Sequence, residues 1–401
     1  MAGNAGNKGD SVKSDCFVSV DLHHESGIEI DLRSKVASLY GKSIRERCRN
    51  ILSFFEIKNA KLTIEDKGAL DFIIAARLEA AIKKVKKSDK EYLLPFIIEN
   101  RGVTEKERRR RSRLYLPGNS PKLMINAGIH SADGIILDLE DSVAPDKKHE
   151  ARYLVRNALR AVNFYGAERM VRINQIPEGI KDLQYIVPHN VNVILIPKCE
   201  KADQIKLVDE EIRKLADKSE NHIHLMPIIE SALGVVNAFE IATASKHVVA
   251  LAIGLEDYTA DIGVSRSEDG RESFYARSVV VNAANAAGIQ AIDSVYSDVS
   301  NMEGLKENVE NSKALGFVGM GCIHPRQIEI INAGFNPGES EIEKAKAVVL
   351  AYEKAKRRGS GVIAIGPKMI DLPVAKRALN TINLALSSGL LKENWREKEN
   401  G

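Results

Sequence analysis

The chain has 401 residues, of which 44% are hydrophobic and 28% are charged, and its formal net charge is +3. This balance is ordinary for a globular protein, and so small a net charge gives no sign of nucleic-acid binding. No apolar run approaches the roughly 20 residues of a membrane span. The leading residues carry no apolar signal core, so we expect a cytoplasmic protein. The four cysteines form no Cys-x-x-Cys pair, which argues against a zinc site and against a disulfide framework.

The first 86 residues predict a flexible start followed by a small domain. Residues 1–13 are rich in Gly, Asn, Lys and Ser, a composition typical of flexible segments. The apolar periodicity of residues 14–86 predicts the order ββαβα, a small α+β domain. The predicted strands are 17–20, 28–32 and 60–65, and the predicted helices are 36–55 and 69–82.

Residues 87–112 are predicted to connect this domain to the rest of the chain. The segment 105–113 is densely charged and contains five arginines. Such a run is usually a solvated surface segment, and we expect that here. The alternative is a role in holding an anionic phosphate group, which arginine side chains recognise well.

Residues 113–358 show a repeating pattern of short apolar runs and amphipathic helical stretches. Eight strand candidates with eight helix candidates over about 240 residues is the count of a (β/α)8 TIM barrel. A doubly wound open sheet is the structural alternative, but no Gly-x-Gly-x-x-Gly fingerprint follows any strand. The tail, 359–401, is apolar enough to fold back or to dock on a neighbouring subunit, and we expect the docking. The predicted barrel strands are 114–116, 134–139, 170–173, 193–196, 224–229, 249–253, 291–295 and 318–323.

Two acids follow neighbouring strands of the predicted barrel. Glu230 ends one buried run and Asp257 follows the next. Because loops at the carboxyl ends of barrel strands form one mouth, the two carboxylates can meet there. Hard divalent cations prefer oxygen ligands. We therefore hypothesise that Glu230 and Asp257 hold one Mg2+.

Other polar side chains arrive at the same predicted mouth. Glu140 and Asp141 follow the second strand, Arg172 ends the third, and Lys198 follows the fourth. Acids mixed with Arg172 and Lys198 suit an anionic substrate that a cation bridges to the protein. Each acid taken alone can equally be a helix N-cap or an ordinary surface residue.

Several of these strand ends carry motifs of a known family. RLYLPGN at 113–119, GIILDLEDSV at 134–143, VRIN at 171–174, MPIIES at 226–231, GLEDYTADIG at 254–263 and GFVGMGCIHPRQI at 316–328 occur in order. This part of the chain resembles the citrate lyase β-subunit group, Mg2+-dependent aldolase-type lyases that act on 3-hydroxyacyl thioesters. The resemblance covers essentially all of residues 110–390.

The resemblance implies a role for each matching residue. Glu230 and Asp257 match the metal carboxylates, and Arg172 matches the arginine that binds the carboxylate of the oxo-acid product. Arg113, Glu140 and Asp141 match residues that line the same pocket. In KMIDLP, Asp371 falls where relatives carry a catalytic aspartate lent by the adjacent subunit, which implies a homo-oligomer, a trimer or hexamer.

The first domain has a resemblance of its own. SDCFVSV, GIEIDL and DKGALDFIIAARLEAA look like the citrate lyase γ-subunit, an acyl carrier protein. That family carries a phosphoribosyl-dephospho-CoA arm on a serine just before the first strand. Ser14 is the best candidate for this attachment, and Ser11 remains an alternative. The simpler interpretation is that Ser14 is an ordinary serine of a flexible tail.

The two resemblances together imply a carrier and a lyase in one polypeptide. The expected reaction cleaves a citryl thioester to an acetyl thioester and oxaloacetate, and a full cycle also implies an acyl-exchanging α-subunit. One alternative is a malyl-CoA or citramalyl-CoA type lyase that acts on free CoA esters. Another is a non-catalytic scaffold subunit of a lyase complex.

Overall fold

The computed structural model describes residues 2–24, 26–216, 222–267, 269–357, 363–365 and 368–399. The chain forms two compact units, residues 1–328 and residues 329–401, which are described separately below. Within the described residues, no helix combines the length and the apolar composition needed to cross a membrane.

The first unit begins with a small α+β domain. Its four strands form one sheet in the order β1-β2-β4-β3, in which β3 and β4 run parallel and the other neighbours run antiparallel. The predicted order ββαβα is present, preceded by one additional strand. The elements are β1 (Gly3–Gly6), β2 (Cys16–Asp21), β3 (Ile28–Ser34), α1 (Ala37–Phe54), β4 (Ala60–Asp66) and α2 (Asp71–Val85).

Two details of this domain differ from the expectation. Residues 1–13 were expected to be flexible, but Gly3–Gly6 pairs with β2 as an edge strand, from Gly3 opposite Val20 to Gly6 opposite Phe17. The strand sequence GNAG has no alternating apolar side chains, so the apolar pattern did not predict this strand. The helical periodicity that predicts the helix 36–55 puts Leu39 and Tyr40 on its apolar face, yet both side chains are exposed.

The charged segment is a solvated surface run only in part: residues 105–107 are exposed, whereas Arg110 and Arg113 are buried. Arg110 is fully buried and forms an ion pair with Glu168, with an Nε to Oε2 distance of 2.8 Å. Arg111 pairs with Asp133 at 2.8 Å. Because buried guanidinium groups need such partners, and both acids belong to the barrel, Arg110 and Arg111 anchor this segment to the barrel.

Eight parallel strands follow and close into a barrel. Each pairs with its sequence neighbours, and the last pairs with the first. The predicted (β/α)8 fold is thereby confirmed, and each predicted strand overlaps an observed one. The strands are β5 (Ser112–Pro117), β6 (Gly134–Asp138), β7 (Glu168–Arg172), β8 (Val193–Ile196), β9 (His224–Ile229), β10 (Ala250–Ile253), β11 (Gln290–Asp293) and β12 (Gly319–Cys322).

Helices follow the barrel strands along the chain. Inward-facing residues such as Ile136, Met170, Leu195 and Met226 fill the barrel as one apolar cluster, so the interior is packed below the mouth. The helices are α3 (Pro121–Met124), α4 (Lys148–Ala161), α5 (Ile180–Leu183), α6 (Ala202–Leu215), α7 (Ala232–Val236), α8 (Ala238–Ala242), α9 (Leu255–Asp261), α10 (Arg271–Ala286), α11 (Met302–Leu315) and α12 (Arg326–Gly334).

The second unit is built around two long helices, α13 (Glu339–Arg357) and α14 (Leu372–Ser387), with a two-stranded sheet between them, β13 (Ile363–Ile365) and β14 (Lys368–Ile370). Val349 and Ile382 pack against the buried Trp395. The packing therefore places α13 with α14, whereas the sequence boundary at residue 358 grouped α13 with the barrel.

Candidate active site at the mouth of the barrel

The carboxyl ends of the barrel strands enclose a cavity of about 730 Å³. Its lining includes Asp138, Arg172, Glu230 and Asp257, which come from four different strand ends. The loops bring these side chains together because parallel strands all end at the same rim. The structure thus places both proposed metal carboxylates in one cavity, as the sequence hypothesis requires.

Glu230 is the most deeply buried acid of the proposed metal pair. It follows β9, and its side chain accepts a hydrogen bond of 2.9 Å from the backbone N–H of Lys198. Burial raises the pKa of its carboxyl to about 8, against the lowering effect of that hydrogen bond. Gly254 leaves it room, since a Cβ there would lie 2.5 Å from Oε1 of Glu230. Glu230 is therefore a buried carboxyl that a cation would stabilise.

Asp257 lies opposite a lysine rather than deep in the barrel. It sits in the first turn of α9, directly after β10, and its side chain is about 41% exposed. The Nζ of Lys198 lies 3.5 Å from Asp257, 3.5 Å from Glu140 and 3.7 Å from Asp141. Although partial burial opposes it, these acids raise the pKa of Lys198. The ammonium of Lys198 thus partly balances the negative charge of three carboxylates.

Arg172 is already engaged by acids of the neighbouring strand. Its Nε and Nη2 donate to the two oxygens of Asp138 at 2.7 and 2.8 Å, a bidentate pair. Its Nη1 also lies 3.0 Å from Glu140. Burial favours neutral Asp138, but the hydrogen bonds and charge of Arg172 lower the pKa of Asp138 overall. Arg172 is therefore fixed in place, with its guanidinium at the cavity wall.

Asp138 is a site residue to which the sequence analysis assigned no role. It accepts from Arg172 and also from the hydroxyl of Ser142. The sequence already placed Asp138 near the end of one predicted strand and Arg172 near the end of the next. The structure shows that these two residues are partners in the register of β6 and β7. Lys198 was expected at the mouth together with Arg172, but its contacts with three acids became visible only in three dimensions.

Arg113 lies at the foot of the cavity, near the start of β5. Its side chain is 1% exposed, its Nε is buried without a hydrogen-bond partner, and its Nη1 donates to the sulfur of Met226 at 3.0 Å. Burial lowers the pKa of this guanidinium, as expected where acids are not adjacent. The predicted substrate-binding residue thus lines the cavity with unused donor capacity.

The residues present suit a metal that keeps open positions. Among the described residues, no cluster of three or more His, Cys, Asp or Glu side chains forms a ready metal cage. Mg2+ commonly uses only one or two carboxylates and takes its other ligands from substrate and water. The Oε2 of Glu140 lies 3.0 Å from Nη1 of Arg172, so this acid already has a cationic partner, which leaves Glu230 and Asp257 as the proposed pair. The donor set therefore fits a hard divalent cation.

Glu140 and Asp141, which contact Arg172 and Lys198, are not among the residues that line this cavity, and neither are Ser14 and Asp371. Ser14 is partly buried, directly precedes Asp15 and β2, and adopts a left-handed backbone with φ of 53°. Asp371 belongs to the second unit and caps α14, where its carboxylate accepts a hydrogen bond of 3.1 Å from the N–H of Val374. That contact is an ordinary helix N-cap, and a catalytic role for Asp371 stays a prediction.

Comparisons with known proteins cover both parts of the first unit. The model of the HpcH/HpaI aldolase/citrate lyase family matches residues 111–325, and the model of the malonate decarboxylase delta subunit (MdcD) matches residues 6–85. Citrate lyase subunit beta of Leuconostoc mesenteroides subsp. cremoris is 41% identical over 71% of this chain and 96% of its own length. Mitochondrial citramalyl-CoA lyase of Homo sapiens is 32% identical over 69% of this chain and 86% of its own length.

Solved structures give the same picture. The protein CitE of Mycobacterium tuberculosis, in complex with magnesium, acetoacetate and coenzyme A, has a TM-score of 0.59 and 29% identity, and the match covers 70% of this chain and 99% of that one. The citrate lyase beta subunit of M. tuberculosis, complexed with oxaloacetate and magnesium, has a TM-score of 0.50 and 31% identity, over 58% of this chain and 100% of that one.

Proposed function

Because the chain belongs to the HpcH/HpaI aldolase/citrate lyase family and is a lyase, we propose that it cleaves a citryl thioester to an acetyl thioester and oxaloacetate. The motif resemblance is confirmed by this membership, and the family model matches residues 111–325. The observation that supports the specific reaction best is the cavity in which Glu230 and Asp257 lie beside Arg172. Metal carboxylates and a fixed guanidinium at one mouth suit a substrate with several carboxylates.

We propose that Glu230 and Asp257 bind the Mg2+ that relatives carry in their solved structures. When bound, the ion would polarise the substrate hydroxyl and carboxylate and lower the pKa of that hydroxyl. Glu230 would bind it as the carboxylate, so its raised pKa makes the affinity for Mg2+ rise with pH toward about 8. Lys198 would neutralise the surrounding acids.

The proposed reaction breaks one carbon–carbon bond and transfers one proton. The hydroxyl loses its proton, the bond to the thioester methylene breaks, and its electron pair stays on the methylene carbon as a thioester enolate. That carbon takes up a proton to give the acetyl thioester, so no further co-reactant is required. Arg172 would orient a substrate carboxylate, and Arg113 would supply a second guanidinium deeper in the cavity. Glu140, Asp141 and Asp371 are the candidates for proton transfer.

We further propose that residues 14–86 act as the acyl carrier, with the covalent phosphoribosyl-dephospho-CoA arm on Ser14. The match of residues 6–85 to a carrier-like subunit supports this assignment, and Ser11 is the alternative position. An acyl-exchanging α-subunit would load the arm, and a homo-oligomer, a trimer or hexamer, is the proposed assembly. Intact-mass measurement of protein from its native host should show an adduct that Ser14→Ala loses, and an adduct that persists would exclude this serine.

The metal assignment is tested by removing one carboxylate at a time. In Glu230→Ala and in Asp257→Ala, we expect Mg2+-dependent cleavage of citryl-CoA to fall by about 10³-fold with the fold retained. Glu256→Gln is the matched control, because Glu256 precedes Asp257 on the same helix but pairs with Arg266 at 2.7 Å. Normal turnover in either alanine variant would remove the metal assignment.

A lyase that acts on free CoA esters is the second candidate function. It is favoured by the 32% identity to human citramalyl-CoA lyase, and the carrier-like domain opposes it, because a free CoA ester needs no tether. Parallel assays with citryl-CoA, malyl-CoA and citramalyl-CoA, with and without Mg2+, separate the two. Preference for citramalyl-CoA in protein without an arm would favour the second candidate.

A further inference from the structure

The carrier-like domain is joined to the barrel by more than the connecting segment. Helix α2 packs along α4 of the barrel, and residues 72–82 of α2 are all buried. A helix buried on all sides needs a partner on the face that its own sheet does not cover. Here that partner is α4, whose residues 150–160 are likewise all buried.

Two buried charge clusters cross this contact, and we call them the docking clusters. In the first, Arg77 of α2 donates to Asp15 at 2.9 and 3.1 Å and to Glu150 of α4 at 3.3 Å. In the second, Arg156 of α4 pairs with Glu79 of α2 at 2.5 Å. All these side chains are at most 3% exposed. Separating the domains would break the ion pairs of Arg77 with Glu150 and of Arg156 with Glu79, and breaking buried ion pairs strongly disfavours release.

The edge strand β1 adds backbone contacts to the first docking cluster. The N–H of Gly6 donates to Glu150 at 2.5 Å, and Lys147 donates to the carbonyl of Gly6 at 3.0 Å. Gly6 has φ of +92°, and a Cβ there would lie 1.9 Å from the carbonyl oxygen of Cys16. Only glycine fits this approach, so the leading strand is fastened between its own sheet and α4.

The first docking cluster also fixes the position of Ser14. Asp15, the next residue, is held by Arg77, and Arg77 donates at 3.2 Å to the carbonyl of Asn119. Asn119 lies in the short loop between β5 and α3, and the flanking residues Pro117 of β5 and Lys122 of α3 line the cavity. Ser14 is therefore next in sequence to a carboxylate that Arg77 links to the loop after β5, at the end of the barrel that bears the mouth.

We propose that the carrier-like domain stays docked throughout the reaction, so that Ser14 is a fixed pivot and only its arm moves between the cavity and the loading partner. This inference rests on the proposed function, since it assumes an acyl group linked through Ser14. Arg77, Glu150 and Arg156 are then positioning residues, which act on the reaction only through the location of Ser14. A tether with a fixed origin keeps the linked group at high local concentration at one mouth.

The test removes the barrel side of both docking clusters and leaves the carrier-like domain unchanged. In Glu150→Ala/Arg156→Ala, cleavage of the Ser14-linked citryl group in a single turnover should fall by about tenfold or more. Turnover of free citryl-CoA should keep its kcat and KM within about twofold, because the mouth is untouched. Glu150→Ala alone is the milder variant, and Asp31→Ala/Arg33→Ala, which removes an exposed pair at 3.2 Å, is the matched control.

Hydrogen exchange on the full chain supplies the readout of docking itself. In the wild type, amides of α2 should exchange as slowly as those of α4, and in the double variant they should exchange about tenfold faster or more. Fast exchange of α2 in the wild type would overturn the proposal. So would unchanged cleavage of the linked group in a variant whose α2 has become mobile. If the wild type cleaves neither linked nor free citryl group, the proposed function fails, whereas the exchange data still decide whether the domain is docked.

Discussion

The docking clusters and the mouth of the barrel both bury charge, but they do so in opposite ways. In the docking clusters each buried cation has buried acidic partners, as Arg77 has Asp15 and Glu150. At the mouth, Glu230 is 6% exposed, and within the described residues no Lys, Arg or His side chain forms an ion pair with it. Its carboxyl consequently has a pKa raised to about 8 by burial.

This contrast separates charges that serve the fold from a charge kept for a ligand. Paired buried charges fix one arrangement, and removing one member is strongly unfavourable. A buried acid without a cation destabilises the fold when it ionises, and such groups concentrate at functional sites. The two regions should therefore respond in opposite directions when one charge is removed.

The largest effect is expected in the docking clusters. Arg156→Met leaves Glu79 buried beside Lys83 alone, which lies at 3.2 Å. We expect the free energy of unfolding to fall by about 3–5 kcal/mol, measured by urea denaturation of the full chain. Arg33→Met, whose partner Asp31 is solvent-accessible, is the control and should change little. Equal effects in both variants would remove the distinction between docking and surface charges.

Glu230→Gln should act in the opposite direction. The folded-state pKa of about 8 lies above the ordinary value of 4.5. Between these values the folded state binds more protons than the unfolded state, so stability falls as pH rises. Without Mg2+, the variant should be more stable than the wild type by about 2–3 kcal/mol above pH 8 and by little near pH 4.5. Urea unfolding across that range measures the gap, and a gap independent of pH would contradict the prediction.

Arg172→Lys tests whether the arginine works as a rigid fork. A lysine keeps the charge but cannot bridge Asp138 with two parallel hydrogen bonds and also reach Glu140. We expect kcat/KM for citryl-CoA to fall by about 30-fold. Arg266→Lys is the control, since Arg266 makes a single partly exposed contact with Glu256. Wild-type kinetics in Arg172→Lys would show that charge alone suffices at this position.

Much of the fold followed from local pattern. The eight barrel strands are nearly continuous apolar runs because both of their faces are buried, and the prediction located each of them. The edge strand β1 was missed because Gly3–Gly6 contains glycine and asparagine, which are depleted in strands. The apolar side chains of Leu39 and Tyr40 matched the helical period, yet they are 79% and 58% exposed, because a periodic pattern alone does not decide which residues tertiary packing buries.

The part of the site that follows from the barrel topology could be predicted from the sequence. Since strand ends share one rim, Glu230, Asp257 and Arg172 were expected in one cavity, and the structure places them there. The docking clusters were not predicted, because their members are far apart in sequence. In the sequence, Glu79 and Arg156 look like charged residues of an exposed helix face. Only their tertiary contact explains why both are buried.

The smallest effect is expected at Lys198, where the two kinds of charge meet. Its ammonium contacts Asp257, a proposed ligand, so it competes for the negative charge that a metal ion would use. Lys198→Met should lower the dissociation constant for Mg2+ by up to about tenfold at low salt, and less at high salt, because exposed charges are screened. Calorimetric titration of the metal-free protein measures this, with Lys206→Met, an exposed lysine paired with Asp203, as control. Weaker binding in Lys198→Met would contradict this prediction. It would mean that the ammonium orients the acids for the ion, in the way that the arginines of the docking clusters fix their acidic partners.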